Sequence, residues 1–225
     1  IVWYHATADG EKGERVKAIN YTYTEQLKKL KALYPEKLEV VIGDICDNSV
    51  ISDNIKDGDV VYHLAAKVHF IPTNQKEEEE FFNINTKATE EIFKTCIQNH
   101  IKRVIFFSTV SVYKQTDELI TTDSPKELTT VYGKSKLQAE EIANCMYQQY
   151  GLPVTIIEPV TVYGEGDVGN FKKLENMIQK GICVKFGSGE NKKTVIYYKD
   201  LIQMAINIAE DATKIGQTII CGTEV

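Results

Sequence analysis

Tyr132 and Lys136 stand four residues apart in the run Tyr132-Gly133-Lys134-Ser135-Lys136. On a helix that spacing puts a phenol and an ammonium on one face, roughly 6 Å apart at Cβ. Such a pair can handle protons. Free tyrosine titrates near 10, and a neighbouring cation favours the phenolate. Bringing it to about 7 takes ~3 units, roughly 4 kcal/mol. One lysine does not supply all of that, so a second positive charge is expected at the site. The spacing alone arises often by chance, and its context carries the weight. Residues 103–113 (RVIFFSTVSVY) are apolar, β-branched and aromatic, the composition of a strand buried on both faces. The run ends in hydroxyls, where the carboxyl end of a parallel strand opens onto a ligand crevice. A hydroxyl there can hydrogen-bond a substrate oxygen that gains or loses a proton.

The elements that must position these groups alternate along the chain. Strand-like runs occur at residues 1–5, 38–42, 60–66, 103–107, 154–157, 184–186 and 218–221. Helical spacing occurs over 25–34, where Leu27, Leu30, Leu33 and Tyr34 recur before Pro35 ends the helix. It returns over 82–98, with Ile84, Ala88, Ile92 and Cys96 on one face. After Lys136 the stripe continues through Ala139, Ile142, Ala143, Met146 and Tyr150, and Gly151 with Pro153 closes it. Further helices are expected over 171–179 and after Asp200, read as an N-cap. Residues 8–15 read as a loop, and the four glutamates at 77–80 as a solvated helix start. The alternation predicts an α/β doubly wound parallel sheet.

Composition narrows the class of function. The 225 residues carry a net charge of −6, which argues against nucleic acid and against an anionic membrane surface. No apolar run approaches the ~20 residues needed to span a bilayer. The five cysteines, at 46, 96, 145, 183 and 221, form no metal-ligand spacing, and no metal is expected. They fit a reducing, cytoplasmic compartment.

Ser108-Thr109-Val110-Ser111-Val112-Tyr113, followed about twenty residues later by Tyr132-Gly133-Lys134-Ser135-Lys136, resembles the extended short-chain dehydrogenase/reductase family, and most closely its NAD-dependent epimerase/dehydratase group. The resemblance implies a Rossmann-type fold and a catalytic trio of Thr109, Tyr132 and Lys136, with Ser111 a weaker competitor for the hydroxyl role. Other motifs fall in register. Gly43-Asp44-Ile45 resembles the adenine-contacting turn, His63-Leu64-Ala65-Ala66 the motif after the fourth strand, and Asn85-Thr86-Lys87-Ala88-Thr89 the bracing Asn-x-x-Gly-Thr. The cofactor, NAD or NADP, is thereby expected against Asp44, Ile45, Leu64, Ala65, Ala66, Asn85, Ser108, Tyr132, Lys136, Pro159 and Val160. Thr161 and Lys193 are expected at a nucleotide-sugar substrate, and a homodimer is implied. Residues 1–163, with 197–222 returning to the same sheet, would form the dinucleotide-binding domain. Residues 164–196 would form a small, incomplete substrate-binding part. No chemistry is assigned to His63.

Several residues depart from the family pattern. Glu158-Pro159-Val160-Thr161-Val162-Tyr163-Gly164 replaces Arg-Pro-x-Asn-Val-Tyr-Gly, Lys193 stands where an arginine is usual, and Lys114 follows Val112-Tyr113 in place of glycine. A lysine cannot clamp a phosphate bidentately. The first strand and its glycine-rich turn are absent, with residues 1–5 aligning to the second strand, so part of the natural protein is expected to lie outside this sequence at both ends. The acidic residue that commonly holds NAD ribose is replaced by His5 or Ala6 in that alignment, leaving NAD and NADP both open. An epimerase or dehydratase is the leading expectation. A carbonyl reductase or hydroxysteroid-type dehydrogenase, and a non-catalytic dinucleotide-binding regulator, are the alternatives.

Overall fold

The computed structural model describes residues 4–7, 15–22, 24–68, 70–114, 116, 118–127, 130–165, 170–182 and 192–223. Nine strands are seen among them: β1 (Tyr4–Thr7), β2 (Arg15–Asn20), β3 (Leu38–Ile42), β4 (Val60–His63), β5 (Arg103–Phe107), β6 (Val154–Pro159), β7 (Thr161–Tyr163), β8 (Val195–Tyr197) and β9 (Thr218–Cys221). The helices are α1 (Glu25–Leu33), α2 (Asn48–Asn54), α3 (Gln75–Phe82), α4 (Ala88–Gln98), α5 (Val131–Tyr150), α6 (Asn170–Gln179) and α7 (Tyr198–Glu210). Seven strands make one sheet in the order β3-β2-β1-β4-β5-β6-β9, and β7 pairs with β8 in a second. The neighbouring pairs β2–β3, β4–β5, β5–β6 and β6–β9 are parallel. Only β1 runs antiparallel to both of its neighbours.

Strand alternation sends side chains to two separate cores. Val104 and Phe106 of β5 face a core built with Ile51 of α2, Ile92 and Phe93 of α4, and Ala139 and Ala143 of α5. Ile105 faces the other side, against Leu201, Ala205 and Ile208 of α7. Leu27 of α1 packs on Ala18 and Leu38. The sheet is thus covered on both faces, as an α/β doubly wound fold requires. Arg103 begins β5 and is buried. Its Nη2 donates to the Ile208 and Asp211 carbonyls (both 3.0 Å) and to Thr155 Oγ1 (2.8 Å), closing the last turn of α7.

Some expectations need correcting. The strand beside β3 is Arg15–Asn20, a stretch partly read as loop, and not residues 1–5. The residue ending that second strand is therefore the buried Asn20, neither His5 nor Ala6. The helix expected from residue 82 starts earlier, at Gln75. A π-helical turn at Asn83–Lys87 links α3 to α4, with Ala88 N bonding Asn83 O five residues back. Asp200 sits in the first turn of α7 rather than capping it. Leu33 and Tyr34, placed on the apolar stripe of α1, are 70% and 53% exposed, and Leu27 is the residue that α1 buries. The strand expected at 184–186 and the Gly187–Gly189 turn lie outside the described residues.

Candidate active site

The helix that carries Tyr132 is fixed at its first turn. Thr130 caps α5, its Oγ1 accepting from Gly133 N at 3.0 Å. Gly133 lets this turn approach the 3₁₀ turn at Val110–Val112 closely, since a Cβ there would stand 2.7 Å from Ser111 O. Thr109 caps that 3₁₀ turn, accepting from Ser111 N at 3.1 Å. Two caps and one glycine thus bring the end of β5 against the start of α5. Tyr132 and Thr109 come together there: the Thr109 hydroxyl, which donates to Ser111 Oγ at 3.2 Å, stands close enough to the phenol to favour its ionised form.

The electrostatics of the trio differ from a simple Tyr–Lys couple. Burial pushes the Tyr132 phenol up to about 12, and the Thr109 hydroxyl offsets only part of that. Lys136 is fully buried one turn further on. Its Nζ donates to Phe107 O at 2.7 Å and lies 4.1 Å from the centroid of the Phe106 ring. Burial lowers its value to about 7, against the pull of Glu140. The Tyr132 phenol therefore feels the Thr109 hydroxyl, whereas the amine is tied to the strand backbone two residues before Thr109. His63, at the end of β4, bonds Thr89 Oγ1 at 2.7 Å and stacks on Phe106. Burial, then the Lys136 charge, holds it well below its usual value, so it is a neutral packing residue.

Asn85 lies in the π-helical turn and is fully buried. Its Oδ1 accepts from Lys67 N at 2.7 Å, and its Nδ2 donates to Lys67 O (3.1 Å) and Ser135 Oγ (2.9 Å). Ser135 Oγ in turn donates to Tyr132 O, and Thr86 Oγ1 donates to Ser135 O. The asparagine thus clamps the loop after β4 to the helix carrying Tyr132. Leu64, Ala65 and Ala66 form that loop, with both alanines buried.

The remaining candidates are spread along the carboxyl edge of the sheet. Ile45 packs into the core after β3. Asp44 beside it is exposed, and its Oδ1 accepts from Cys46 N at 2.9 Å as ordinary turn chemistry. Pro159 is buried at the end of β6, Val160 packs beside the α7 core, and Thr161 opens β7. Lys193 is exposed just before β8 of the second sheet.

Ser108 does something the sequence did not indicate. Its Oγ donates to Glu140, which is buried two turns along α5 from Tyr132. Glu140 also accepts from Lys126 Nζ at 2.5 Å. The same ammonium reaches Glu158 at 3.3 Å, and Tyr113 Oη donates to Glu158 at 2.7 Å. Glu158 is pushed up to about 7, by burial first and then by Glu140, while Tyr113 and Lys126 oppose the rise. The available signals were Glu140 lying four residues after Lys136, and a lone acid within the apolar run VTIIEP.

The model of the NAD dependent epimerase/dehydratase family matches residues 6–222, nearly the whole chain. The chain belongs to that family. Among curated relatives, the UDP-glucose 4-epimerase of Vibrio cholerae is 27% identical over 191 residues, covering 80% of this chain and 56% of that protein. An N-acetyl-α-D-glucosaminyl-diphospho-ditrans,octacis-undecaprenol 4-epimerase of Escherichia coli O157:H7 is 29% identical over 180 residues, 78% of this chain and 52% of that protein. The solved UDP-glucuronic acid 4-epimerase of Bacillus cereus, in complex with UDP-glucuronic acid and NAD, superposes with a TM-score of 0.78 at 23% identity, covering 92% of this chain and 69% of that one. This epimerase/dehydratase family member spans between about two fifths and two thirds of the length of the curated relatives it matches. Among its described residues, no helix is long and apolar enough to cross a membrane and no acidic, His or Cys cluster could hold a metal.

Proposed function

We propose that this chain is the larger part of an NAD(P)-dependent sugar-nucleotide epimerase or dehydratase. The observation that carries this reading is the convergence of the Tyr132 phenol and the Thr109 hydroxyl at the carboxyl end of β5, with the buried amine of Lys136 one helical turn away. Thr109 orients the substrate hydroxyl, and Tyr132 removes or returns its proton. Lys136 donates one hydrogen bond, to Phe107 O, and its ammonium has further donors to offer a ribose diol. That spare donor capacity fits the nicotinamide half of the cofactor, which when bound supplies the site of hydride exchange and a positive ring beside Tyr132. Ala65 and Ala66 permit close approach of its backbone, Asn85 and Ser108 brace the loops beneath it, and Leu64, Pro159 and Val160 line its flanks. Asp44 and Ile45 stand at the adenine end. Thr161 and Lys193 face the nucleotide-sugar side, Lys193 contributing charge without a bidentate clamp. Residues 1–163 and 197–222 form the dinucleotide-binding domain in this reading, and 164–196 belong to the substrate-binding part.

A homodimer through the outer faces of α4 and α5 belongs to the same reading. A groove of about 400 Å³ lined by Ile97, Ile142, Cys145 and Met146 supports it. The free thiols at Cys46, Cys96, Cys145 and Cys221 support a cytoplasmic location. The test uses the full-length protein with UDP- and dTDP-linked hexoses, followed by NMR. Expected is interconversion or dehydration without net consumption of added cofactor, and its loss in Tyr132→Phe. Net oxidation of NADPH with a ketone would move the reading to a carbonyl reductase. Absence of both turnover and dinucleotide binding would overturn it.

A further inference from the structure

Two carboxylates, Glu140 of α5 and Glu158 of β6, are buried side by side behind the Tyr132 helix, with side chains 2% and 0% exposed. Two like charges so placed cannot both stay ionised without a counter-charge. Among the described residues, the Lys126 ammonium is the cation that bonds both. It does not belong to the sheet or its helices. The described loop stretch 118–127, ahead of α5, carries it in, with its side chain still 27% exposed at the surface. The base of that loop is held by Lys114 N on Pro125 O (3.1 Å) and by the Lys114–Glu127 ion pair (2.9 Å). Lys126 Nζ also lies 5.1 Å from the centroid of the Tyr113 ring. Four residues later the chain reaches Thr130, the cap of the helix that carries Tyr132.

We propose that Lys126 is a positioning residue, a charge latch that closes this loop onto Glu140 and Glu158 and through Glu140 sets Ser108 and its neighbour Thr109. The connection is continuous: Lys126 to Glu140, Glu140 to Ser108, and Ser108 next to the hydroxyl that meets Tyr132. The groups that face the pair are Tyr113 and Asp123 from the loop side, Lys126 itself, Lys136 on α5, and Cys221 on β9. Of these, Lys126 and Lys136 are cationic. Lys136 acts on Glu140 through space but makes no bond to either carboxylate, which leaves Lys126 as the cation that bonds both. The consequence for pH follows from the raised Glu158. Its proton is held in the folded protein up to about pH 7 but lost near 4.5 when unfolded, so stability falls as pH rises through that window. Without Lys126 the Glu158 carboxyl rises further and the fall extends to higher pH.

The positioning role rests on the proposed function, whereas the latch does not. The experiment compares Lys126→Met, Lys126→Arg, Glu158→Gln and the double variant Lys126→Met/Glu158→Gln in the full-length protein. Melting temperature is followed from pH 5 to 9, and kcat and KM are measured for the sugar nucleotide turned over by wild type. Lys126→Met should melt lower and with a steeper pH dependence, and lose about 10- to 100-fold in kcat with KM within threefold. Lys126→Arg should restore both. Glu158→Gln should flatten the melting profile and, in the double variant, rescue it, because the amide can donate to Glu140 in place of the ammonium. A Lys126→Met protein that melts like wild type at every pH overturns the latch, as does a double variant no better than Lys126→Met. If Lys126→Met does not fold, Glu158→Gln decides alone, and an unaltered pH profile overturns the proposal. An unchanged kcat with an altered melting profile overturns the positioning role. A wild type that turns over no sugar nucleotide overturns the functional reading and with it the positioning role, while the melting profiles still decide the latch.

Discussion

Replacing Lys136 with methionine should make the cofactor-free protein more stable at neutral pH and inactive. Lys136 is 1% exposed and burial lowers its value from 10.5 to about 7. A shift of ~3.5 units is about 5 kcal/mol charged against the folded state at pH 7. The sign follows from linkage. Between about pH 7 and 10.5 the unfolded chain binds a proton at this lysine that the folded chain releases, so wild-type stability rises with pH there and this contribution is flat below it. Methionine fills the same space without a charge. It leaves Phe107 O without its 2.7 Å donor, a loss of about 1–3 kcal/mol. The balance is a gain of roughly 2–4 kcal/mol at pH 7, or about 5–15 °C in melting temperature for a chain of this size. Near pH 10.5 the lysine is neutral in the folded chain and only half charged in the unfolded one, the lost hydrogen bond outweighs what remains, and the variant becomes the less stable protein. Denaturant titrations of the two apoproteins at unit pH steps from 6 to 10.5 should therefore cross. Parallel curves, or a variant less stable at pH 7, would refute the reasoning that this amine is held in the fold at an energetic cost because function needs it.

Tyr132→Phe should lower turnover by about 10²–10⁴-fold while dinucleotide affinity, measured by fluorescence titration, stays within a few-fold. In the unliganded protein the Tyr132 phenol, pushed up to about 12, should remain protonated at pH 10.5, and adding oxidised cofactor should bring its titration down. The difference in phenolate absorbance between wild type and Tyr132→Phe reads this, and an unchanged titration would remove the cofactor's charge from the account. Asn85→Ala should cost about 2–4 kcal/mol in urea unfolding, since it strands Lys67 N and O and the Ser135 hydroxyl in a buried setting. A loss under 1 kcal/mol would mean that water replaces the side chain there.

The strands were legible where the sequence turns apolar. Residues 38–42, 60–66, 103–113 and 218–221 were read as such runs, and β3, β4, β5 and β9 form within them; burial on both faces accounts for β5, whereas β3 buries only Leu38. The strand β2 was not, because RVKAIN alternates a charged and an apolar residue at its start and follows a polar stretch. The short α2 escaped because its seven residues hold only two apolar side chains, Val50 and Ile51. In α5 the stripe was right at Ala139, Ala143 and Met146 and wrong at Tyr150, which is 65% exposed, because periodicity marks a face without marking where its cover ends. The shared helix of Tyr132 and Lys136 was readable because their spacing is local. The direction of the Lys136 amine and the arrival of Lys126 depend on contacts between residues 14 to 32 positions apart, which no local pattern encodes.

The five-residue turn at Asn83–Lys87 makes this stretch of chain intolerant of changes in length. Removing one residue from it would let a regular helix run unbroken from Gln75 to Gln98 and strengthen the local ladder. It would also swing everything on one side of the cut by roughly 100° about the axis. Either Phe81 would leave the interior, or Asn85 would turn away from Lys67 and Ser135. Point substitutions can be absorbed here more readily than a deletion. The wide turn keeps two halves of one rod in phase with two different neighbours.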